Sequence, residues 1–201
     1  MKLFYSQTSP FVRKVLMVAH ERGLFPRLEL TPTDIWSPET VVPTLNPLGK
    51  IPTLVTDDGL TLFDSPVIAE YLDSLGEAGG ALFPVAGHAR WLALRQQAIA
   101  DGICDAAILR RMEGLRPENL RSANWIDRQR QAMMRAVDLL ESETELLEGQ
   151  TIGTLSVTVA LAYLDFRWGC DHWREGRPNL AAWFERASDS GSFRQTVPPR
   201  G

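Results

Sequence analysis

Three short stretches of the chain carry residue types that can hold a ligand. Asp64-Ser65 places a carboxylate and a hydroxyl at the start of a helix, where unpaired N–H groups and the helix dipole favour an anion. Pro52 has no N–H and confines Ile51 to an extended backbone, which frees Ile51 to offer its own N–H and C=O to a peptide-like ligand. A ligand with a peptide backbone, a carboxylate and an ammonium would satisfy both stretches. Ser9-Pro10 sets a further hydroxyl at the opening of another helix. Each stretch taken alone also has a plainer role, because serine is a good N-cap and proline suits the first helical position.

The elements that must position these residues follow from local pattern. Lys2–Ser6 reads as a strand, Pro10–Arg22 as a helix ended by Gly23, and Leu28–Leu30 as a second strand. In that helix Phe11, Val12, Val15, Leu16 and Ala19 form the apolar stripe, with Arg13, Lys14 and Arg22 expected to point elsewhere. Residues 31–42 are polar and broken by proline, a loop with room for one helical turn. Two β-type runs starting at Thr53 and Thr61 flank Asp57-Asp58-Gly59, a hairpin signal, and Ser65 then caps a helix to Leu75. Residues 77–87 read as a glycine-rich linker. Beyond it only helical patterns occur, over 88–112, 125–148, 151–168 and 179–187. The expected architecture is an α/β domain over 1–76, thioredoxin-like in element order, followed by an all-α domain over 88–201.

Composition narrows the function classes. A net charge of −4 argues against nucleic acid as the main partner. No apolar run is long enough to span a membrane, and no secretory signal core opens the chain. Cys104 and Cys170 stand far apart, without a CxxC or a metal-ligand spacing. His172 beside Cys170 gives only two ligands, so no metal is expected. A cytoplasmic, reducing compartment is the natural reading.

Asn46-Pro-Leu-Gly-Lys-Ile-Pro-Thr-Leu54, followed by Asp64-Ser-Pro-Val-Ile-Ala-Glu-Tyr-Leu72, resembles the glutathione-binding half of the cytosolic glutathione S-transferases. The resemblance is to a bacterial, serine-type member with an N-terminal motif like that of the omega and zeta classes. It is specific over residues 1–75 and looser in the helical half, where Leu180-Ala-Ala-Trp-Phe184 resembles the family's closing helix. It implies a cis bond before Pro52, pairing of Ile51 with the cysteinyl backbone of glutathione, and capture of the γ-glutamyl group by Asp64 and Ser65. Lys50 is a candidate for the glycyl carboxylate; Thr33 and Asp34 lie where the family often has a basic residue, and none stands between Arg27 and Lys50. Asp101 resembles an aspartate that in some classes reaches the glutamyl ammonium of a neighbouring subunit. A homodimer is expected. Thr154 stands where the family usually has the aspartate of a capping box with Thr151, so the reciprocal bond is expected to be weak or absent.

Glutathione chemistry requires a thiolate, and a free thiol has a pKa of about 8.5. Ser9, at the N-terminus of the first helix, is the candidate stabiliser, its O–H donating to the sulfur. Ser6 ranks next, with Tyr5 and Thr8 behind. Serine at position 9 replaces the cysteine of omega-like members, so disulfide chemistry through this residue is not expected. The electrophile pocket is assigned to Phe11, Ile108, Arg111, Met112 and Tyr163, with Phe166 as possible floor. The tryptophans of the helical half, Trp91, Trp125, Trp168, Trp173 and Trp183, are read as core. The expected activity is conjugation of glutathione to a small hydrophobic electrophile. The alternatives are a non-catalytic binding or regulatory protein of the same fold and a glutathione-dependent isomerase.

Overall fold

The structure, a computed structural model, describes residues 1–199. The chain divides into two compact units, one of Met1–Val85 joined by the segment that begins at Ser190, the other of Ala86–Asp189. The first contains strands β1 (Lys2–Tyr5), β2 (Glu29–Pro32), β3 (Thr53–Val55) and β4 (Thr61–Leu62) in the order β2-β1-β3-β4. Strand β1 runs parallel to β2 and antiparallel to β3, which is antiparallel to β4. Helices α1 (Pro10–Glu21) and α3 (Ser65–Leu75) pack on each other, and α2 (Val42–Leu45) is a single turn. This is the thioredoxin-like arrangement.

Register decides where the ligand-competent stretches lie. Phe4 pairs with Thr53, and Leu54 with Leu62. In antiparallel pairs the end of one strand meets the start of the next. The segment leaving β1, the residues entering β3 and those leaving β4 therefore gather at one end of the sheet. Leu3, Leu54, Val15, Val18, Ile68 and Leu72 are fully buried behind that end. Burial of each such side chain is worth roughly 1.5–3 kcal/mol.

Helix α1 departs from the expected one-sided pattern, because Arg13, Lys14 and Arg22 are buried. For Arg13 the physical reason is that α1 is covered on a further side by α8 (Gly191–Gln195), an element the sequence pattern did not announce. Arg13 donates to the carbonyl of Phe193 (3.2 Å) and lies over the Phe193 ring at 4.1 Å. Burial lowers the Arg13 pKa to about 10.

Arg22 anchors the segment expected to be a slack linker. One of its nitrogens donates to the carbonyls of Ala78, Gly79 and Gly80 at 2.6, 2.9 and 2.8 Å. Its Nε lies 3.0 Å from Asp73 Oδ1. The Asp73 carboxylate in turn accepts from the N–H groups of Leu82 (2.9 Å) and Phe83 (3.0 Å). At Gly76 a Cβ would fall 2.1 Å from Arg22 Nε, so no larger residue fits beside this guanidinium. The strap is fixed by charge-assisted bonds, which are the strong ones.

The second unit is helical: α4 (Gly87–Gly114), α5 (Ala123–Ser142), α6 (Ile152–Trp168) and α7 (Pro178–Ala187). Every residue from Ile152 to Leu164 is buried, which makes α6 the central helix, apolar all round. Helices α4 and α6 approach closely at Gly153, where a Cβ would lie 2.7 Å from the Ala93 carbonyl. The cap of α6 corrects the expectation for Thr154. Its Oγ1 accepts from the Thr151 N–H (2.9 Å) and Thr151 Oγ1 accepts from the Thr154 N–H (3.2 Å), a complete capping box. A threonine reaches as an aspartate does because only one acceptor lone pair is needed. Trp173 and Trp183 are core, whereas Trp91 is 68 % exposed and Trp125 is exposed too. Among the described residues no helix is long and apolar enough to cross a membrane.

Candidate functional site

At the shared end of the sheet, the Ile51–Pro52 bond is cis, as the resemblance implied. Pro52 is buried and Ile51 half-buried. Among the described residues nothing hydrogen-bonds the Ile51 N–H or C=O. The bend is held from behind: Asn46 Nδ2 (3.0 Å) and Thr53 Oγ1 (2.8 Å) both donate to the Lys50 carbonyl. Asn46 and Thr53 are themselves almost completely buried, so this support is rigid. The Lys50 side chain is exposed.

Helix α3 begins one residue earlier than the sequence suggests. Asp64 is the N-cap and Ser65 the first helical residue, with Pro66 second. Both residues are good cappers, and the extended backbone at Asp64 gives it the position. Asp64 makes no side-chain cap bond, so the first N–H groups of α3 have no side-chain partner. Ser65 is 2 % exposed, and its hydroxyl has no partner among the described residues. The Ser65 hydroxyl and an uncapped helix start together leave several donors unused, beside an exposed carboxylate on Asp64.

Ser9 is the N-cap of α1, its Oγ accepting from the Val12 N–H at 3.3 Å. Its hydroxyl hydrogen is committed to no described residue. Ser6 and Thr8 face each other, Oγ to Oγ1, at 3.4 Å. An open depression of about 490 Å³ is lined by Tyr5, Ser6, Gln7, Thr8, Pro32, Thr33 and Asp34. The structure thus brings three of the four hydroxyl candidates into one concavity, and Ser9 is not part of its lining. Thr33 donates to the Thr31 carbonyl (2.8 Å), and Asp34 accepts from the Trp36 N–H (2.9 Å). Both side chains are occupied by the turn, and neither supplies a cation.

The residues expected to meet an electrophile divide between the units. Phe11 is half-buried on α1, with Lys14 Nζ 6.0 Å from its ring centre. In the helical unit Ile108, Arg111 and Met112 follow each other along α4, and Tyr163 is buried on α6. Burial pushes the Tyr163 hydroxyl above its usual pKa, against the pull of Arg167 and Arg111. Arg167 is the residue that sequence reasoning missed, although its place one turn after Tyr163 was readable from helical spacing. Cys104 is buried; Cys170 and His172 are exposed, and no group of three metal-ligating side chains occurs among the described residues.

Known proteins resemble this chain in both sequence and fold. Residues 8–75 match the family description "Glutathione S-transferase, N-terminal domain", and residues 123–186 match "Glutathione S-transferase, C-terminal domain". The uncharacterized GST-like protein YibF of Escherichia coli (strain K12) is 35 % identical over 207 residues, covering 100 % of both chains. A glutathione transferase family member from Pseudomonas fluorescens Pf-5, solved with bound S-(propanoic acid)-glutathione, superposes with a TM-score of 0.90 at 42 % identity, covering 99 % of this chain and 100 % of that one. A glutathione S-transferase from Methylobacillus flagellatus KT with glutathione bound gives a TM-score of 0.92 at 35 % identity, covering 98 % and 99 %.

Proposed function

From the premise that this chain belongs to the glutathione S-transferase family, we propose that it binds glutathione in its first unit and promotes attack of the thiolate on a small hydrophobic electrophile. The observation that carries the reading is the set of unused groups at one end of the sheet. Ile51 has a free N–H and C=O for the cysteinyl backbone. The start of α3 and the Ser65 hydroxyl offer donors to the γ-glutamyl carboxylate, and Asp64 offers a carboxylate to its ammonium. Pro52 and Lys50 frame the bend that exposes Ile51, with Lys50 free to reach toward the glycyl carboxylate.

Ser9 performs the activation. Its lone pair holds the Val12 N–H, and its O–H turns to the sulfur. Donation to S⁻, with the N-terminal N–H groups of α1 close by, lowers the thiol pKa and raises the fraction able to react. The thiol proton leaves to water, so Ser9 forms no covalent bond. Attack then forms a C–S bond. A leaving group departs with its electron pair, or, at an activated alkene, the π pair moves to the neighbouring carbon, which takes a proton from water. The adduct in the Pseudomonas fluorescens protein, with propanoic acid on glutathione, supports a small electrophile as the size class. Ser6 is the second reading for the activating hydroxyl, favoured by its place with Thr8 in the depression. A cytoplasmic homodimer with a detoxifying role completes the proposal.

Calorimetric titration with glutathione at neutral pH, with the ultraviolet thiolate band followed on the same samples, tests it. Saturable binding with thiolate formed below its free pKa is expected. Binding without thiolate would remove Ser9 from its role, and absence of binding would favour a regulatory protein of this fold.

A further inference from the structure

Helix α1 carries Ser9 at its start, and α8 grips that start through a single residue. The Arg13 N–H donates to the Ser9 carbonyl at 3.0 Å and closes the first helical turn. The Arg13 side chain is held by α8 and the residue that follows it. Its Nη2 donates to the Phe193 carbonyl at 3.2 Å, and its Nε donates to Thr196 Oγ1 at 3.4 Å. Its guanidinium carbon lies 4.1 Å from the Phe193 ring centre. One buried residue is thus fixed to Ser9 by its backbone and to α8 by its side chain.

The gripping element is itself ordered. Ser190 Oγ caps α8 by accepting from the Phe193 N–H at 3.3 Å. Thr196 Oγ1 donates its own hydrogen to the Ser192 carbonyl at 2.8 Å, which leaves a lone pair for Arg13. A basic side chain bonded to a carbonyl at a helix C-terminus is a favourable arrangement. At the other end of α1 the Ser192 hydroxyl is hydrogen-bonded to the carboxylate of Glu21, the last helical residue. Arg13 and Glu21 lie about 12 Å apart along the helix axis. The segment from Ser190 therefore holds α1 near both ends. Only a guanidinium can offer two in-plane donors and a flat face to an aromatic ring together.

Ser9 needs such support. Its own side-chain bond to the helix, to the Val12 N–H, is a long one at 3.3 Å. Helix ends open more readily than helix centres. A catalytic group misplaced by about 1 Å can cost about 100-fold in rate. We propose that Arg13 is a positioning residue: clamped by α8, it holds the first turn of α1 and with it the Ser9 hydroxyl. The holding stands apart from the transferase reading; its effect on the thiolate of bound glutathione rests on that reading.

Two measurements on the full chain test it: amide hydrogen exchange without ligand, and ultraviolet titration of the thiolate of bound glutathione. Thr196→Val removes one bond to Arg13, and Arg13→Met removes the whole grip. The Val12 and Arg13 N–H groups should exchange about fivefold faster in Thr196→Val, and faster still in Arg13→Met. The Ile68 N–H, bonded to the Asp64 carbonyl at the start of α3, should keep its rate. Glutathione affinity should hold, while the apparent thiol pKa rises by no more than it does in Ser9→Ala. In a Ser9→Ala background Thr196→Val should add nothing to that rise, whereas a disturbance by any other route would add. Arg13→Lys keeps the charge and loses the fork, so it should behave as Arg13→Met does. Unchanged exchange at Val12 and Arg13, or equal acceleration at Ile68, would overturn the clamp. An unchanged thiol pKa in Arg13→Met, or rescue by Arg13→Lys, would overturn the effect on Ser9. Faster exchange in a chain that binds no glutathione would keep the clamp and remove the transferase reading.

Discussion

A capping serine has lone pairs directed at the helix and a hydrogen free to turn outward, so one residue can serve folding and chemistry together. At Ser9 the two roles separate on substitution. Ser9→Ala should cost about 1 kcal/mol of stability, read in urea, because the Val12 N–H loses its acceptor. The same variant should slow conjugation and raise the apparent pKa of bound glutathione, with affinity changed by less than about twofold, since a ground-state thiol gains little from that donor. Full activity in Ser9→Ala with loss in Ser6→Ala would move the role to Ser6. Ser65→Ala should act differently, weakening glutathione by about 1–2 kcal/mol in the titration while leaving the thiolate pKa of the saturated complex in place. At this scale the sequence was legible in type more than in position. Asp64 and Ser65 were readable as a ligand-competent pair, but two adjacent good cappers compete, and only the backbone decides between them. Arg167 escaped notice because an arginine on a helix is ordinarily solvated.

Elements with a strong internal pattern were readable and those made by tertiary contact were not. Helix α3 ends at Leu75 as its pattern requires, and α6 follows Thr151 as expected. Strand β2 is displaced to Glu29–Pro32 because pairing with β1, rather than its own alternation, sets its limits. The burial of Arg13 was hidden for the same reason, since a partner arriving from residue 190 onward has no local signal. The strap of residues 76–83 is the clearest case: glycines suggest slack, yet Arg22 and Asp73 hold it. Asp73→Ala should destabilise the first unit by about 3–5 kcal/mol, because it strands Arg22 and leaves the N–H groups of Leu82 and Phe83 buried without an acceptor. Urea unfolding gives the magnitude, and faster proteolytic cleavage near residues 78–81 would locate the loosening.

For the molecule as a whole, acid stability should depend on Asp171. Burial alone would raise its pKa, but hydrogen bonds from Arg110 and Arg130 outweigh burial and hold it below the ordinary 3.8. The folded state therefore binds fewer protons than the unfolded state. Its stabilising contribution is complete above about pH 4 and is lost as pH falls through the lower folded value. Asp171→Asn should reduce stability at neutral pH, because Arg110 loses its counter-ion, and should flatten the stability profile below about pH 4. Urea midpoints between pH 2 and pH 7 read both effects; an unchanged acid limb would mean that other carboxylates carry it. The return of α8 onto α1 bears on a different matter, the order of events during synthesis. The first unit is built from both ends of the described chain, with the whole helical unit between them. At about 5–20 residues per second a ribosome needs roughly 5–20 s to make that intervening stretch. Throughout that interval Arg13 must wait for the carbonyl of Phe193, so the half that emerges first is the half that finishes last.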